Sequence, residues 1–462
     1  HGRVEWRWVR YAVHRYFMRR SGVLIRGLEP ASRVNASHAG EAQILRHQVP
    51  TLLDMVLDGH RTGGVGFSLQ DITQLVATLE QLVFDSESTL LEKVYAERGA
   101  KPGRSLDGRG LRDVLETFMV HWIFGDDEQG IREILKDRGL LREAIPHWEA
   151  IAGLVRGSVE AAKFERLRAS GRGKGRAALS PAFSFEDAHQ VVGRMGRSFA
   201  SFWETTCQEI KTSLVAMDKE GSGRVRLSDF YGANGQGEWR FGESEAYLRE
   251  LGALDESSPA RGPQVIIPNY LQAASNCIVS RKHYLVCCAN ECEDVLGEVE
   301  AAVGAPLAQP MDVLWVVGNL TSYDDDAAPV TEELVGQLRR IASSHVGRVP
   351  LHGRLFAQWL HYVFPRECPF PHRAGTVAAK TPVEYGGDYI VTEEEMDRHV
   401  KDGHVRAALA DARGEAPEAA EPWMSQWSDQ EELVGDYSEL RAPWERDRAG
   451  RLAFGGAVAL AA

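Results

Sequence analysis

Two short stretches, Phe67-Ser68-Leu69-Gln70-Asp71 and Phe183-Ser184-Phe185-Glu186-Asp187, open alike and stand 116 residues apart. A serine followed three positions later by an acid is a helix start. The hydroxyl accepts from a backbone N–H of the first turn, and the carboxylate reaches back to the serine's own N–H. Behind Ser68, Ile72, Leu75, Val76 and Leu79 recur at helical spacing, so one face is apolar and needs a partner to cover it. The same offset carries Leu111 onto Leu227, Asp113 onto Asp229 and Val114 onto Phe230. This pattern predicts a faintly duplicated helix–loop–helix pair.

Further helices are expected over 111–124 and 146–167, joined to the second block by the basic, glycine-rich linker 166–176. Past residue 233, proline and glycine interrupt shorter elements. Strands are expected at 265–267 and 313–317 (VLWVV), and helices over 283–303, 331–344 and 355–363. The fold class is mainly α, with helical pairs followed by an α-rich α/β or α+β domain. Five segments follow: an amphipathic helix and strand over 1–37, a helical region over 38–140 and a helical pair over 141–232. A Cys/His-containing domain covers 233–400, and 401–462 holds a linker, a short helix capped by Ser428 and an apolar tail.

A net charge of −13 argues against non-specific nucleic-acid binding, which needs a positive footprint. The tail at 451–462 is too short to span a bilayer, which takes about 20 residues. It reads either as the start of a longer membrane anchor or as a small packed helix. Of the six cysteines, five fall between 277 and 368, an odd regional count that suggests buried, reduced thiols and a cytoplasmic setting. Asn35-Ala-Ser37 and Asn319-Leu-Thr321 are glycosylation triplets, meaningful only in a secreted chain.

The most specific motif is Asp218-Lys-Glu220-Gly-Ser222-Gly223-Arg224-Val225-Arg226-Leu-Ser-Asp229. Asp218, Glu220, Ser222 and Asp229 place side-chain oxygens at positions 1, 3, 5 and 12, and the Arg224 carbonyl falls at position 7. Gly223 stands at the sharp turn and Val225 at the apolar position that pairs with a sister loop. This loop, with the helices around it over 146–232, resembles the EF-hand superfamily, and the resemblance implies a calcium site. Three departures weaken that site. Aspartate replaces the bidentate glutamate at position 12, Arg226 occupies position 9, and Lys219 and Arg224 leave three acids against three bases. The expected affinity is no better than ~10⁻⁴–10⁻³ M. The sister loop is expected upstream, over about 171–187, where Arg, Lys and Pro stand in place of ligands. Residues 60–71 keep little beyond the closing acid, and 384–395 ends either like a loop or as an N-cap at Thr392.

A second constellation gathers Cys277, His283, Cys287, Cys288 and Cys292. On a helix over 283–303, His283 and Cys287 would share one face, and Cys288 and Cys292 a neighbouring one. With His352 added they form a candidate zinc or thiol site, with Cys277 as nucleophile and His345 or His352 as base. The lack of paired short-spacing cysteine knuckles weighs against zinc. Together with the cysteine stretch before it, the run from Val349 to His372 resembles segments of uncharacterised protist algal proteins over 233–400, a resemblance that brings no activity. Its Leu355, Phe356, Trp359, Leu360 and Val363 form an apolar helical face, on which His361 reads as a packing residue.

These readings point to a calcium-binding or vestigial EF-hand regulatory or interaction protein acting on a protein partner. The alternatives are a thiol- or zinc-dependent hydrolase housed in 233–400, or a structural adaptor held to a membrane by the tail.

Overall fold

The computed structural model describes residues 3–29, 66–169, 182–233, 241–320, 330–413 and 424–435, except 126, 146, 260, 282 and 425. The apolar tail, Asn35, most of the basic linker and most of the loop expected over 171–187 lie outside these residues. The chain is mainly helical. Among the described residues no helix is long and apolar enough to cross a membrane.

Two compact units divide the chain: residues 1–208 with 274–289, and residues 209–273 with 290–462. The first unit is built on α1 (Trp6–Ser21), α2 (Leu69–Glu97), α3 (Gly108–Phe124), α4 (Glu128–Ile134), α5 (Arg138–Ala144) and α6 (Trp148–Ala169). It also holds most of α7 (Phe185–Met217). Both serine-led starts form as expected. The Ser68 hydroxyl accepts from the Asp71 N–H at 3.3 Å, and the Asp71 carboxylate accepts from the Ser68 N–H at 2.8 Å. Ser184 and Asp187 repeat this at 3.2 and 2.7 Å.

Just before these helices the chain makes short antiparallel pairings. Val4 lies opposite Phe67, ahead of α1 and α2. Leu106 bridges Phe183, ahead of α3 and α7. Leu75, Leu79, Leu111, Leu115, Phe118, Val155, Val159, Val191 and Phe199 fill a common core between the helices.

The second unit contains α8 (Leu227–Gly232), α9 (Glu245–Glu250), α10 (Ile267–Leu271), α11 (Cys292–Val303) and α12 (Pro310–Val317). It continues through α13 (Glu332–Ser344), α14 (Arg354–Val363), α15 (Pro382–Tyr385) and α16 (Glu393–Arg413). One of its core clusters gathers Val295, Val299, Val313, Leu338, Ile341, Val349, Phe356 and Trp359. The Trp359 indole donates to the Leu334 carbonyl at 2.8 Å, so the large side chain is buried with its polar atom satisfied.

Several local expectations change. Residues 313–317 are helical: Pro310 sets the first turn of α12, and Val313, Val316 and Val317 bury one face at helical spacing. Burial periodicity here outweighs the strand preference of valine. Residues 283–291 are not helical. Tyr284–Val286 is the central strand of a three-stranded sheet, between Val23–Ile25 and Val279–Ser280, and the helix begins only at Cys292. Ser428 caps no helix; its carbonyl instead accepts from the Gln358 amide at 3.2 Å, and Leu433 bridges Gly353. Thr392 is an N-cap, accepting from the Glu395 N–H at 3.2 Å.

The cysteines are not free thiols. They form three disulfides, Cys207–Cys288, Cys277–Cys287 and Cys292–Cys368. The odd count misled because the local tally left out Cys207, which stands on α7 and completes the set.

Candidate functional site

The loop after α7 is built from its first residue. Asp218 ends the helix with its carboxylate fully buried. One oxygen, Oδ1, accepts from the Ser222 N–H at 3.0 Å; the other, Oδ2, accepts from the Gly223 N–H at 2.9 Å. Gly223 sits at φ +70°, and a Cβ there would collide with the Pro365 carbonyl, so only glycine lets that backbone approach. The chain then extends through Arg224–Arg226, and α8 starts with Asp229 in its first turn.

A helix, a tight loop, a three-residue strand and a helix therefore follow in order. The strand pairs with Gln264–Ile266, with Val225 opposite Val265. Among the described residues the strand of this loop thus finds its partner downstream, directly ahead of α10, whereas most of the upstream stretch expected to hold a sister loop lies outside them. Phe183, which closes that upstream stretch, is paired with Leu106 instead.

A guanidinium neutralises the first acid of the loop. Arg366 Nε donates to Asp218 Oδ2 at 2.9 Å and Nη2 to the Asp218 carbonyl at 3.4 Å. Its neighbours fix it in place. Glu367 pairs with Lys211 at 3.1 Å, Cys368 is bound to Cys292, and the Pro365 carbonyl lies under Gly223. Lys211 stands two turns before Asp218 on α7 and also pairs with Glu291 at 2.5 Å. Burial works against its ammonium, but Glu367 and Glu291 together hold its pKa above the usual lysine value.

Two further loop positions are held in ion pairs of the chain's own. Glu220 pairs with Arg226 at 3.2 Å and Arg261 at 3.5 Å. Arg224 turns inward to Asp255 at 2.6 Å, with both side chains about 5% exposed or less, and also donates to Gln426 at 2.9 Å. No signal within the loop could have announced Arg366, because its partner lies 148 residues away in sequence.

The second constellation divides between the two units. Cys277, His283, Cys287 and Cys288 fall in the first unit and Cys292 and His352 in the second. All six sulfurs are spent in disulfides, so no thiolate is present to attack a substrate or bind zinc. His352 Nε2 meets Glu300 at 2.6 Å. His361 is buried, its Nδ1–H donating to the Cys368 carbonyl at 2.7 Å, and burial holds its pKa well below the ordinary value. It is a neutral packing residue, as its place on the apolar face of α14 suggested.

Another grouping went unread in the sequence. Glu395 and His399 lie one turn apart on α16, and with Glu245 they bring three potential ligand atoms within 4.8 Å of one another. Internal bonds account for the arrangement: Glu245 Oε2 faces His399 Nε2 at 3.0 Å, and its Oε1 accepts from Arg249 at 2.7 Å. The Glu395 carboxylate accepts from the Glu245 N–H at 2.9 Å. Desolvation of the half-buried Glu243 nearby pushes its pKa up to about 6 even though Tyr270 donates to it at 3.1 Å.

No family model matches the chain, and no curated protein or solved structure does.

Proposed function

We propose that the chain is an interaction protein built on vestigial EF-hand units, whose loop takes the ion-bound shape with a guanidinium in place of calcium. The observation that carries this is the Arg366–Asp218 pair on a carboxylate with no solvent exposure. An EF-hand sensor changes shape because its acids are uncompensated until calcium arrives. Here Asp218 and Glu220 are already compensated, so the helical pair is held in one state and serves as a rigid platform for a protein partner. Phe164 and Leu167 on α6, 61% and 44% exposed, supply apolar surface of the kind partners use.

Calcium titration by calorimetry tests this reading. The native chain is expected to give no binding heat below millimolar calcium. Arg366→Gln should destabilise it by about 3 kcal/mol, the usual cost of leaving a buried charge unpaired. Adding Arg226→Asp and Asp229→Glu to that variant supplies acids and a longer reach, and millimolar calcium should then raise its melting temperature. Micromolar calcium binding by the native chain, or an Arg366→Gln variant as stable as the parent, would overturn the proposal.

A further inference from the structure

We infer that this chain matures in an oxidising, glycosylating compartment and that Asn319 carries an N-linked oligosaccharide there. Two independent observations converge. All six cysteines are paired, and disulfides of this kind form and persist where the surroundings are oxidising and are rare in the cytosol. Each forms by exchange with an oxidoreductase disulfide: two thiols of the chain lose two electrons and two protons, and the oxidoreductase becomes a dithiol.

The second observation is the acceptor. Asn319 begins the triplet Asn319-Leu320-Thr321 and is exposed just beyond the end of α12. Its Nδ2 donates to the Trp315 carbonyl at 2.7 Å. An amide nitrogen has two hydrogens, so one can be replaced by a sugar while the other keeps this bond. In the transfer, Nδ2 bonds to C1 of a lipid-diphosphate-linked oligosaccharide. The C1–O bond breaks, the lipid diphosphate leaves with its electron pair, and the amide loses one proton. The glycan would start above Met311 and Trp315, which are 64% and 69% exposed one turn apart on α12. A sugar ring there covers apolar surface that would otherwise face water.

The test is to pass the full chain through a eukaryotic secretory lumen and map its peptides without reduction, before and after amide-cleaving endoglycosidase. The expected result is the three stated disulfides and an aspartate at position 319 after enzyme treatment. Asn319→Gln and Thr321→Ala should each remove that glycan while leaving the disulfide map unchanged. Unmodified asparagine at 319 in the secreted chain overturns the site. Free thiols throughout the secreted, folded chain overturn the compartment.

Discussion

Glu87 shows what one buried residue does to the pH dependence of the first unit. It stands on α2 with its side chain 6% exposed, near Tyr284, whose hydroxyl accepts from the Trp122 indole at 2.8 Å. Burial pushes its pKa from 4.5 up to about 8, against the pull of the Tyr284 hydroxyl and of Arg281 and Arg197. The folded state therefore keeps a proton that the unfolded chain releases above 4.5. The resulting stability is fully present below that value and is lost as the pH rises through about 8. Denaturant unfolding between pH 5 and 9 should show this decline, and Glu87→Gln should flatten it. A decline of equal slope in the variant would refute the assignment. Gly223 and Gly221 give a second residue-scale contrast. Both have positive φ, but a Cβ at 221 would meet only Arg366 Nη2 at 3.9 Å, whereas one at 223 strikes the Pro365 backbone. Gly221→Ala should cost about 1–2 kcal/mol from conformation alone. Gly223→Ala should cost clearly more, as read from urea midpoints.

The elements formed where the sequence carried a local reason for them. Ser68 with Asp71, and Ser184 with Asp187, state helix starts within four residues, and both capping pairs are present. Ser68→Ala and Ser184→Ala should each lower unfolding free energy by about 1 kcal/mol. A double variant should lose the sum, since the caps belong to separate helix starts. Valine-rich 313–317 shows where the pattern ran out. A five-residue apolar run fits a strand or a buried helix equally well, and only the packing of α12 decided it. The loop itself was legible in its turn glycine and its apolar Val225, but the short helix that leaves it was not. Nor was the loop's partner strand, because Gln264–Ile266 carries no ligand residues to mark it. Arg366 was invisible for the same physical reason: ion pairing across the fold leaves no spacing in the sequence.

Across the whole molecule, the three disulfides set how stability responds to reductant. Cys277–Cys287 closes 10 residues, whereas Cys207–Cys288 and Cys292–Cys368 close 81 and 76. On the chain-entropy account, losing the short link costs about 3 kcal/mol and either long one about 4.5 kcal/mol. Paired Cys→Ser variants measured by thermal unfolding should fall in that order. Equal losses for all three would show that native-state geometry, not chain entropy, dominates. The Cys292–Cys368 variant should also loosen the segment that presents Arg366, so of the three it alone should weaken the Arg366–Asp218 pair.

The pairing of Phe67 with Val4 stands at the start of α2, whereas that of Leu106 with Phe183 lies nine residues beyond its end, at the start of α3. That makes α2 an axle with one joint fixed directly at its head and its apolar face set by the core. Each residue of an α-helix advances the chain by about 100°. Deleting one residue near the middle of Leu69–Glu97 would therefore turn the far half of the helix by more than a quarter of a revolution, and Leu90, Leu91 and Val94 would leave the core. Point changes on the outer face of α2 leave this angle untouched. Descendants of this chain are free to vary the composition of that surface but not the residue count of the helix beneath it, unless length changes come in near-whole turns.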